Sequence, residues 1–231
     1  MKTIGLIGGM SWESTRTYYS AINQGIKQAL GGLHSAKIAM VSLDFAEIEN
    51  LQRLGKWTET GDLLVTSAQQ VEAAGADFIV LCTNTMHKVV DQIEAAVTIP
   101  ILHIADAIAS EMKAAGISKV GLLGTKFTME QDFYKGRLQQ MHSIDVIVPN
   151  EDDQLVVHNV IYQELVLGVV NNESRQRYIE IITKLSEQGA QGVILGCTEI
   201  ALLVEQNDTS VLLFDTTGIH SQAAVEIALA D

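Results

Sequence analysis

The chain reads Phe78-Ile79-Val80-Leu81-Cys82-Thr83-Asn84-Thr85 where an apolar run stops abruptly on thiol, hydroxyl and amide side chains. An apolar strand that ends on small polar residues is typical of an active-site edge in an α/β protein. A second stretch, Gly192-Val193-Ile194-Leu195-Gly196-Cys197-Thr198-Glu199, has the same plan. The two stretches indicate one strand-and-turn motif that the chain uses twice.

The spacing of these stretches predicts an internal duplication. Thr83 and Cys197 lie 114 residues apart, and Gly5-Leu6-Ile7-Gly8 recurs as Gly121-Leu122-Leu123-Gly124 after 116 residues. In such a duplication, each half contributes one strand end with a side chain that can transfer a proton, and both strand ends face a shared cleft. A cleft of that kind suits chemistry at both faces of a planar carbanion.

Strand and helix patterns alternate along the whole chain, which is typical of parallel sheets covered by helices. We therefore predict an α/β fold with two pseudo-symmetric, three-layer α/β domains, mainly parallel sheets, and an active site in the cleft between them. The predicted N-terminal domain is discontinuous and comprises residues 1–102 and 211–231, because the last strand (211–214) and the last helix (217–229) are expected to return to it. The predicted C-terminal domain comprises residues 103–210.

Composition narrows the function classes. The formal net charge of -13 argues against binding to nucleic acid phosphates or to an anionic membrane surface. No apolar run reaches the roughly 18 residues of a membrane span, and the glycine-rich opening is too short for a signal peptide. We therefore expect a cytoplasmic protein that acts on a small molecule, with no nucleic acid and no membrane partner.

Cofactor and metal sites are not indicated either. The two cysteines, Cys82 and Cys197, are too few for a disulfide framework or a zinc site. No lysine stands in a context that suggests a pyridoxal Schiff base. The expectation is an enzyme that works with its own side chains.

Polar residues follow the carboxyl ends of four predicted strands, which is where α/β proteins bind their ligands. These positions are Met10-Ser11, Thr83-Asn84-Thr85, Thr125 to Thr128, and Cys197-Thr198-Glu199. The presence of polar residues at all four strand ends is stronger evidence for a ligand site than any one of these positions.

Cys197 is the candidate base. A thiol removes a proton from carbon well when a helix N-terminus lowers its pKa, and Cys197 precedes such a turn. The carbanion of an amino acid is very unstable, so its carboxylate needs several hydrogen bonds. Backbone amides near Asn84 and Thr198, with the side chains of Asn84, Thr85 and Thr198, are the predicted donors.

The chain resembles the aspartate/glutamate racemase family over essentially its whole length. The resemblance rests on Gly8-Gly9-Met10-Ser11-Trp12-Glu13-Ser14, Cys82-Thr83-Asn84-Thr85, Leu123-Gly124-Thr125 with Thr128, and Gly196-Cys197-Thr198-Glu199. It implies a cofactor-independent, two-base racemase of L-aspartate or L-glutamate that forms a homodimer. It also implies that Met10, Thr125, Thr128 and Glu199 line the substrate site, and it points to Gln52 as the donor to the distal carboxylate.

The chain departs from the family pattern at the first catalytic position, where Thr83 stands in place of the usual cysteine of a Cys-Asn-Thr motif. Cys82 comes one residue early, and a shift of one residue at a strand end turns a side chain to the opposite face. We therefore predict that Thr83 and Cys197 are the catalytic pair and that Cys82 packs behind them. The resemblance implies that Cys197 faces the α-proton of the L-enantiomer, so deprotonation of that enantiomer should be the faster.

Three other interpretations fit the residues. An arylmalonate-type decarboxylase needs only one proton donor, and one properly placed cysteine would suffice for it. A non-catalytic amino-acid-binding homologue would also tolerate the missing cysteine. A redox pair of Cys82 and Cys197 is the weakest, because Cys82 should point away from the cleft.

Overall fold

The computed structural model describes residues 1–230, which divide into two compact units. The first unit comprises Met1–Ile104 and the segment that begins at His220, and the second comprises Ala105–Ile219. The chain therefore passes from one unit to the other twice, after Ile104 and after Ile219.

The first unit contains one parallel sheet with the strand order β2-β1-β3-β4. Its strands are β1 (Ile4–Gly8), β2 (Ile38–Ser42), β3 (Phe78–Leu81) and β4 (Ile101–Leu102). Its helices are α1 (Trp12–Leu30), α2 (Phe45–Arg53), α3 (Trp57–Ala73) and α4 (Val90–Glu94), and a 3₁₀ turn over Thr85–Val89 follows β3.

The second unit repeats this plan, with a parallel sheet in the order β6-β5-β7-β8. Its strands are β5 (Lys119–Gly124), β6 (Asp145–Ile147), β7 (Gly192–Gly196) and β8 (Leu212–Asp215). The helices are α5 (Ile104–Ala114), α6 (Lys126–Glu130), α7 (Asp132–His142), α8 (Glu151–Gln163), α9 (Asn172–Glu187) and α10 (Ile200–Leu203), with 3₁₀ turns at Leu165–Leu167 and Gln206–Asp208. Helix α11 (Thr216–Leu229) begins in this unit and ends in the first.

The predicted α/β class with two similar halves is confirmed, since both four-stranded sheets are parallel and share one strand order. The prediction for the strand at 211–214 is wrong. Strand β8 pairs with β7, with Leu195 opposite Asp215, so it completes the second sheet. A short connection through α10 places β8 beside the strand it follows, as consecutive parallel strands usually lie. The chain returns to the first unit only within α11.

Strand alternation in the first sheet separates two layers of core. One face carries Ile7, Ile79 and Leu81 against helices α2, α3 and α4. The other face carries Leu6, Val80 and Cys82 against α1 and the end of α11. Cys82 is fully buried there, as predicted, and its thiol belongs to the core. The side chain of Thr83, the next residue, is therefore expected on the opposite face of the sheet from that of Cys82.

The second unit has a matching core on one face of its sheet. Leu123, Val193 and Leu195 pack against the buried sides of α8, α9 and α10. Cys197 packs at the margin of this cluster while remaining partly exposed. The thiol therefore lies where the core meets the carboxyl end of the sheet.

Helix α1 shows how local sequence positions the first loop. Ser11 begins it, and its side chain accepts a hydrogen bond from the Ser14 amide at 3.2 Å. Tyr18, Ile22 and Ile26 recur at four-residue spacing and are buried in the core. Within residues 1–230, no helix combines the length and the apolar character that crossing a membrane requires.

Gly9 is required by the turn between β1 and α1. Its φ of 89° is a conformation that residues with a side chain rarely adopt. A Cβ at this position would also collide with the carbonyl oxygen of Leu43. Gly9 therefore lets the backbone turn closely past Leu43, the residue that follows strand β2.

Candidate active site

The predicted polar edge of the first unit lies at the end of β3. The Cys82 amide donates the last hydrogen bond of the ladder, 2.9 Å to the Ile7 carbonyl oxygen, before the backbone leaves the sheet. Thr83, Asn84 and Thr85 follow with exposures of only 8%, 3% and 8%. The turn that they open is held by the amide of His87, which donates 3.1 Å to the Asn84 carbonyl oxygen.

The loop after β1 is tied to the same edge. The Ser14 hydroxyl donates 3.0 Å to the Cys82 carbonyl oxygen, and the Thr15 hydroxyl accepts from the Gly9 amide at 2.8 Å. These bonds fix the start of α1 beside the end of β3. The side chain of Met10 is 6% exposed and packs within the core. Any substrate contact from this predicted position therefore falls to its backbone.

Gln52 is the predicted donor to a distal carboxylate, and the side chain of its neighbour Arg53, the stronger anion-binding group, points elsewhere. Gln52 is 5% exposed, and its Nε2 lies 3.9 Å from the Met86 sulfur, in the turn after Thr85. Arg53 lies at the exposed end of α2, and its guanidinium donates 2.8 Å to the Asn50 side chain. The structure therefore brings Gln52, and not Arg53, to the polar turn.

The polar edge of the second unit is built around one carboxylate oxygen. Cys197 follows β7, and its Sγ donates to Glu199 Oε2 at 3.0 Å. The Thr198 hydroxyl donates to the same oxygen at 2.7 Å. Glu199 is 4% exposed, so these hydrogen bonds are made largely away from water. Thiol, hydroxyl and carboxylate thus form one compact cluster.

The pKa of Cys197 is raised well above its ordinary value, first by burial and then by the negative charge of Glu199. The predicted lowering by a helix N-terminus is wrong. Helix α10 has four residues, too few for a substantial dipole, and a full carboxylate charge lies against the sulfur. At neutral pH the resting group is consequently a thiol.

Thr125 and Thr128 occupy the neighbouring strand end, after β5. Gly124 pairs with Gly196, so these threonines and Cys197 follow adjacent strands. Thr125 caps α6 by accepting from the Thr128 amide at 3.4 Å, and the two hydroxyl oxygens lie 3.2 Å apart. The structure thus brings together the predicted site residues of the second unit, which are Thr125, Thr128, Cys197, Thr198 and Glu199.

Three buried histidines behind the β3 edge were not predicted as a group. The ring of His87 lies 4.4 Å from that of His103 and 6.1 Å from that of His220, between centroids. His220 accepts from the Tyr18 hydroxyl at its Nδ1 and donates from Nε2 to the Leu102 carbonyl oxygen, both at 2.9 Å. The only sequence signal available was that β3, β4 and the last helix would be neighbours.

We expect these histidines to make the protein sensitive to acid. Burial lowers the pKa of His220 to about 4, against 6.5 for an ordinary histidine, and burial also lowers the pKa of His87 well below that value. The unfolded chain therefore binds protons first as pH falls. The contribution of these neutral histidines to the free energy of unfolding is fully present above pH 6.5. It should decline as the pH falls towards 4, by about 3 kcal/mol for His220 alone.

Urea unfolding at several pH values between 7 and 4.5 measures this loss, with His220→Gln as the comparison because glutamine does not titrate. The variant should be less stable at pH 7 and should show a shallower decline. Parallel declines in the two proteins would contradict the assignment to His220.

Comparisons with known proteins agree with one another. A family profile described as Asp/Glu/Hydantoin racemase matches residues 7–224. The crystal structure of a Yersinia pestis protein assigned as an Asp/Glu racemase is 56% identical, with a TM-score of 0.94 and full coverage of both chains. That of an aspartate racemase homologue from Pyrococcus horikoshii is 35% identical, with a TM-score of 0.87 and full coverage of both. The broad specificity amino-acid racemase RacX of Bacillus subtilis is 23% identical over 72% of this chain and 71% of its own.

Proposed function

We propose, since the chain belongs to the Asp/Glu/hydantoin racemase family, that it racemises L-aspartate or L-glutamate without a cofactor. One observation carries the proposal. Thr83 follows β3 and Cys197 follows β7, and these strands hold the same place in two sheets of identical order. Each half thus offers one group that can handle a proton, as a two-base racemase requires.

The proposed reaction begins with the Cys197 thiol, which passes its proton to the Glu199 carboxylate 3.0 Å away. The resulting thiolate takes the α-proton of the L-amino acid. Thr83 then supplies a proton to the opposite face of the carbanion. Its hydroxyl regains a proton from solvent, and Glu199 releases to solvent the proton that it took from Cys197. Donors at Asn84 and Thr85 stabilise the carboxylate as it gains enolate character, together with the backbone amide of Thr198. The Thr198 hydroxyl, predicted as a further donor, instead donates to Glu199.

Thr83 makes the two half-reactions unequal. A hydroxyl is far less acidic than a thiol, so reprotonation from Thr83 should be slower than α-proton removal by Cys197. Exchange of the α-proton of the L-enantiomer should therefore be faster than net racemisation. The equal stability of the two enantiomers still requires equal kcat/KM values in the two directions.

Substrate choice should depend on Gln52, whose amide reaches the turn after Thr85. An amide binds a distal carboxylate less strongly than a guanidinium does, so the preference for acidic amino acids should be moderate. We further propose that the protein works in the cytoplasm and that it forms a homodimer, the latter as the family resemblance implies.

The direct test is α-proton exchange of L-aspartate, L-glutamate and their D-enantiomers in deuterated water, followed by NMR with optical rotation in parallel. Rapid L-side exchange with a slow change in rotation is the expected result. Exchange with none of the four amino acids would reject the racemase assignment. Carbon dioxide release from an arylmalonate without α-proton exchange would instead identify a decarboxylase.

Thr83→Cys should raise net racemisation by about tenfold, because a thiol transfers protons to and from carbon more readily than a hydroxyl does. Thr83→Ala should keep L-side exchange within about threefold and reduce net racemisation by about 100-fold, because only the Cys197 half-reaction remains. Optical rotation and deuterium incorporation measured on the same samples separate the two effects. Equal losses of both in Thr83→Ala would argue against a proton-transfer role for Thr83.

A further inference from the structure

His87 is fully enclosed, and both of its ring nitrogens are bound to backbone. Its Nδ1 lies 2.9 Å from the Thr83 carbonyl oxygen, and its Nε2 lies 3.2 Å from the Ile104 amide nitrogen. A carbonyl oxygen can only accept and an amide N–H can only donate. The proton of the neutral ring must therefore be on Nδ1, with Nε2 as acceptor.

A protonated ring would not fit these partners. The imidazolium donates from both nitrogens, so its Nε2–H would meet the Ile104 N–H. Burial and the neighbouring rings of His103 and His220 also disfavour a positive charge, and they hold the pKa of His87 well below its usual value. The ring is thus fixed in charge, in tautomer and in orientation.

The hydrogen bond from His87 to the Thr83 carbonyl oxygen also fixes the direction of the Asn84 N–H. The peptide between Thr83 and Asn84 is trans, so its C=O and N–H point in opposite directions. When the Thr83 carbonyl points to the buried ring, the Asn84 N–H must point away from it. That amide belongs to the predicted set of donors to the substrate carboxylate.

We infer that His87 is a positioning residue, which orients the Thr83–Asn84 peptide so that the Asn84 N–H meets the substrate carboxylate. This inference rests on the proposed racemase function. His87 does not touch the substrate in this scheme. It acts through the peptide plane, and its hydrogen bond to the Thr83 carbonyl is the one that matters for the reaction.

Two substitutions separate the two bonds of the ring. The side-chain amide nitrogen of asparagine can take the place of Nδ1, so His87→Asn keeps a donor for Thr83 and loses the acceptor for Ile104. The side-chain oxygen of glutamine can take the place of Nε2, so His87→Gln keeps the acceptor and loses the donor. Each variant gives up one buried hydrogen bond, and similar losses of stability are expected.

The activities of the two variants should differ. His87→Asn should retain kcat/KM for L-side α-proton exchange within about threefold of wild type. His87→Gln should lose about 10- to 50-fold, because a misdirected donor no longer meets the developing charge. His220→Gln is the matched control, since this histidine is also buried and its two ring nitrogens bond to Tyr18 and Leu102. It should lose stability and keep its exchange rate.

The tautomer offers a readout that does not depend on activity. Long-range ¹H–¹⁵N correlation at pH 7 should show His87 neutral and protonated on Nδ1. A neutral Nε2–H form or a charged ring would overturn the inference, and so would equal exchange losses in the asparagine and glutamine variants. If wild type exchanges none of the four amino acids, the proposed function fails and this inference fails with it. If wild type is active and His87→Asn and His87→Gln lose exchange equally, the inference about His87 is rejected while the proposed function stands.

Discussion

Replacing Cys197 with alanine should lower L-side α-proton exchange by about 10²- to 10⁴-fold, the range for loss of a positioned general base. No other thiol can substitute for it, because the sequence contains only Cys82 besides and that side chain is buried in the core of the first unit. Deuterium incorporation into L-aspartate and L-glutamate measures the loss. Binding of L-aspartate, followed by calorimetry, should persist in the variant.

Cys82→Ala is the control for this experiment. It removes a sulfur of equal size from a fully enclosed position, with a loss of about 1 kcal/mol in the free energy of unfolding. Its exchange rate should stay within about twofold of wild type. If Cys82→Ala abolished exchange while Cys197→Ala did not, the assignment of the two cysteines would have to be reversed.

Glu199→Gln should lower L-side exchange by about 100-fold, although it should make the thiol more reactive. The amide can no longer take the proton that Cys197 must release once bound substrate separates the thiol from water. Removing the carboxylate charge also removes a cause of the raised pKa of Cys197, so more thiolate forms at neutral pH. Alkylation by iodoacetamide should therefore become faster while catalysis becomes slower.

These opposite changes distinguish a proton acceptor from a residue that only supports the fold. Glu187→Gln, at the exposed end of α9, removes a solvent-exposed carboxylate of the same unit and should change neither rate. A Glu199→Gln variant that is both alkylated and active at the wild-type rates would show that the 3.0 Å contact has no part in the reaction.

The fold and the location of the site could be predicted because both depend on periodicity. The offset between Gly5 and Gly121 indicated two halves, and the two sheets have one strand order. Strand alternation alone placed Cys82 in the core and turned Thr83 the other way. Rules of this kind act over a few residues, so the sequence displays them directly.

Features that depend on residues brought together only by the fold could not be predicted. A short apolar strand such as β8 fits either sheet by composition, and its pairing with β7 had to be observed. The charge state of Cys197 depends on the direction in which Glu199 turns, and no spacing rule gives that direction. The histidine group joins residues 87, 103 and 220, which no sequence window contains together.

The path of α11 has a consequence for the order in which a growing chain can fold. Ala224, Val225 and Ala228 cover Leu6 and Val80 of the first sheet, so that core stays open until these three residues have been synthesised. The second unit is contiguous from Ala105 to Ile219 and depends on no later segment for its sheet. During translation, the unit that begins first should be the one that is completed last.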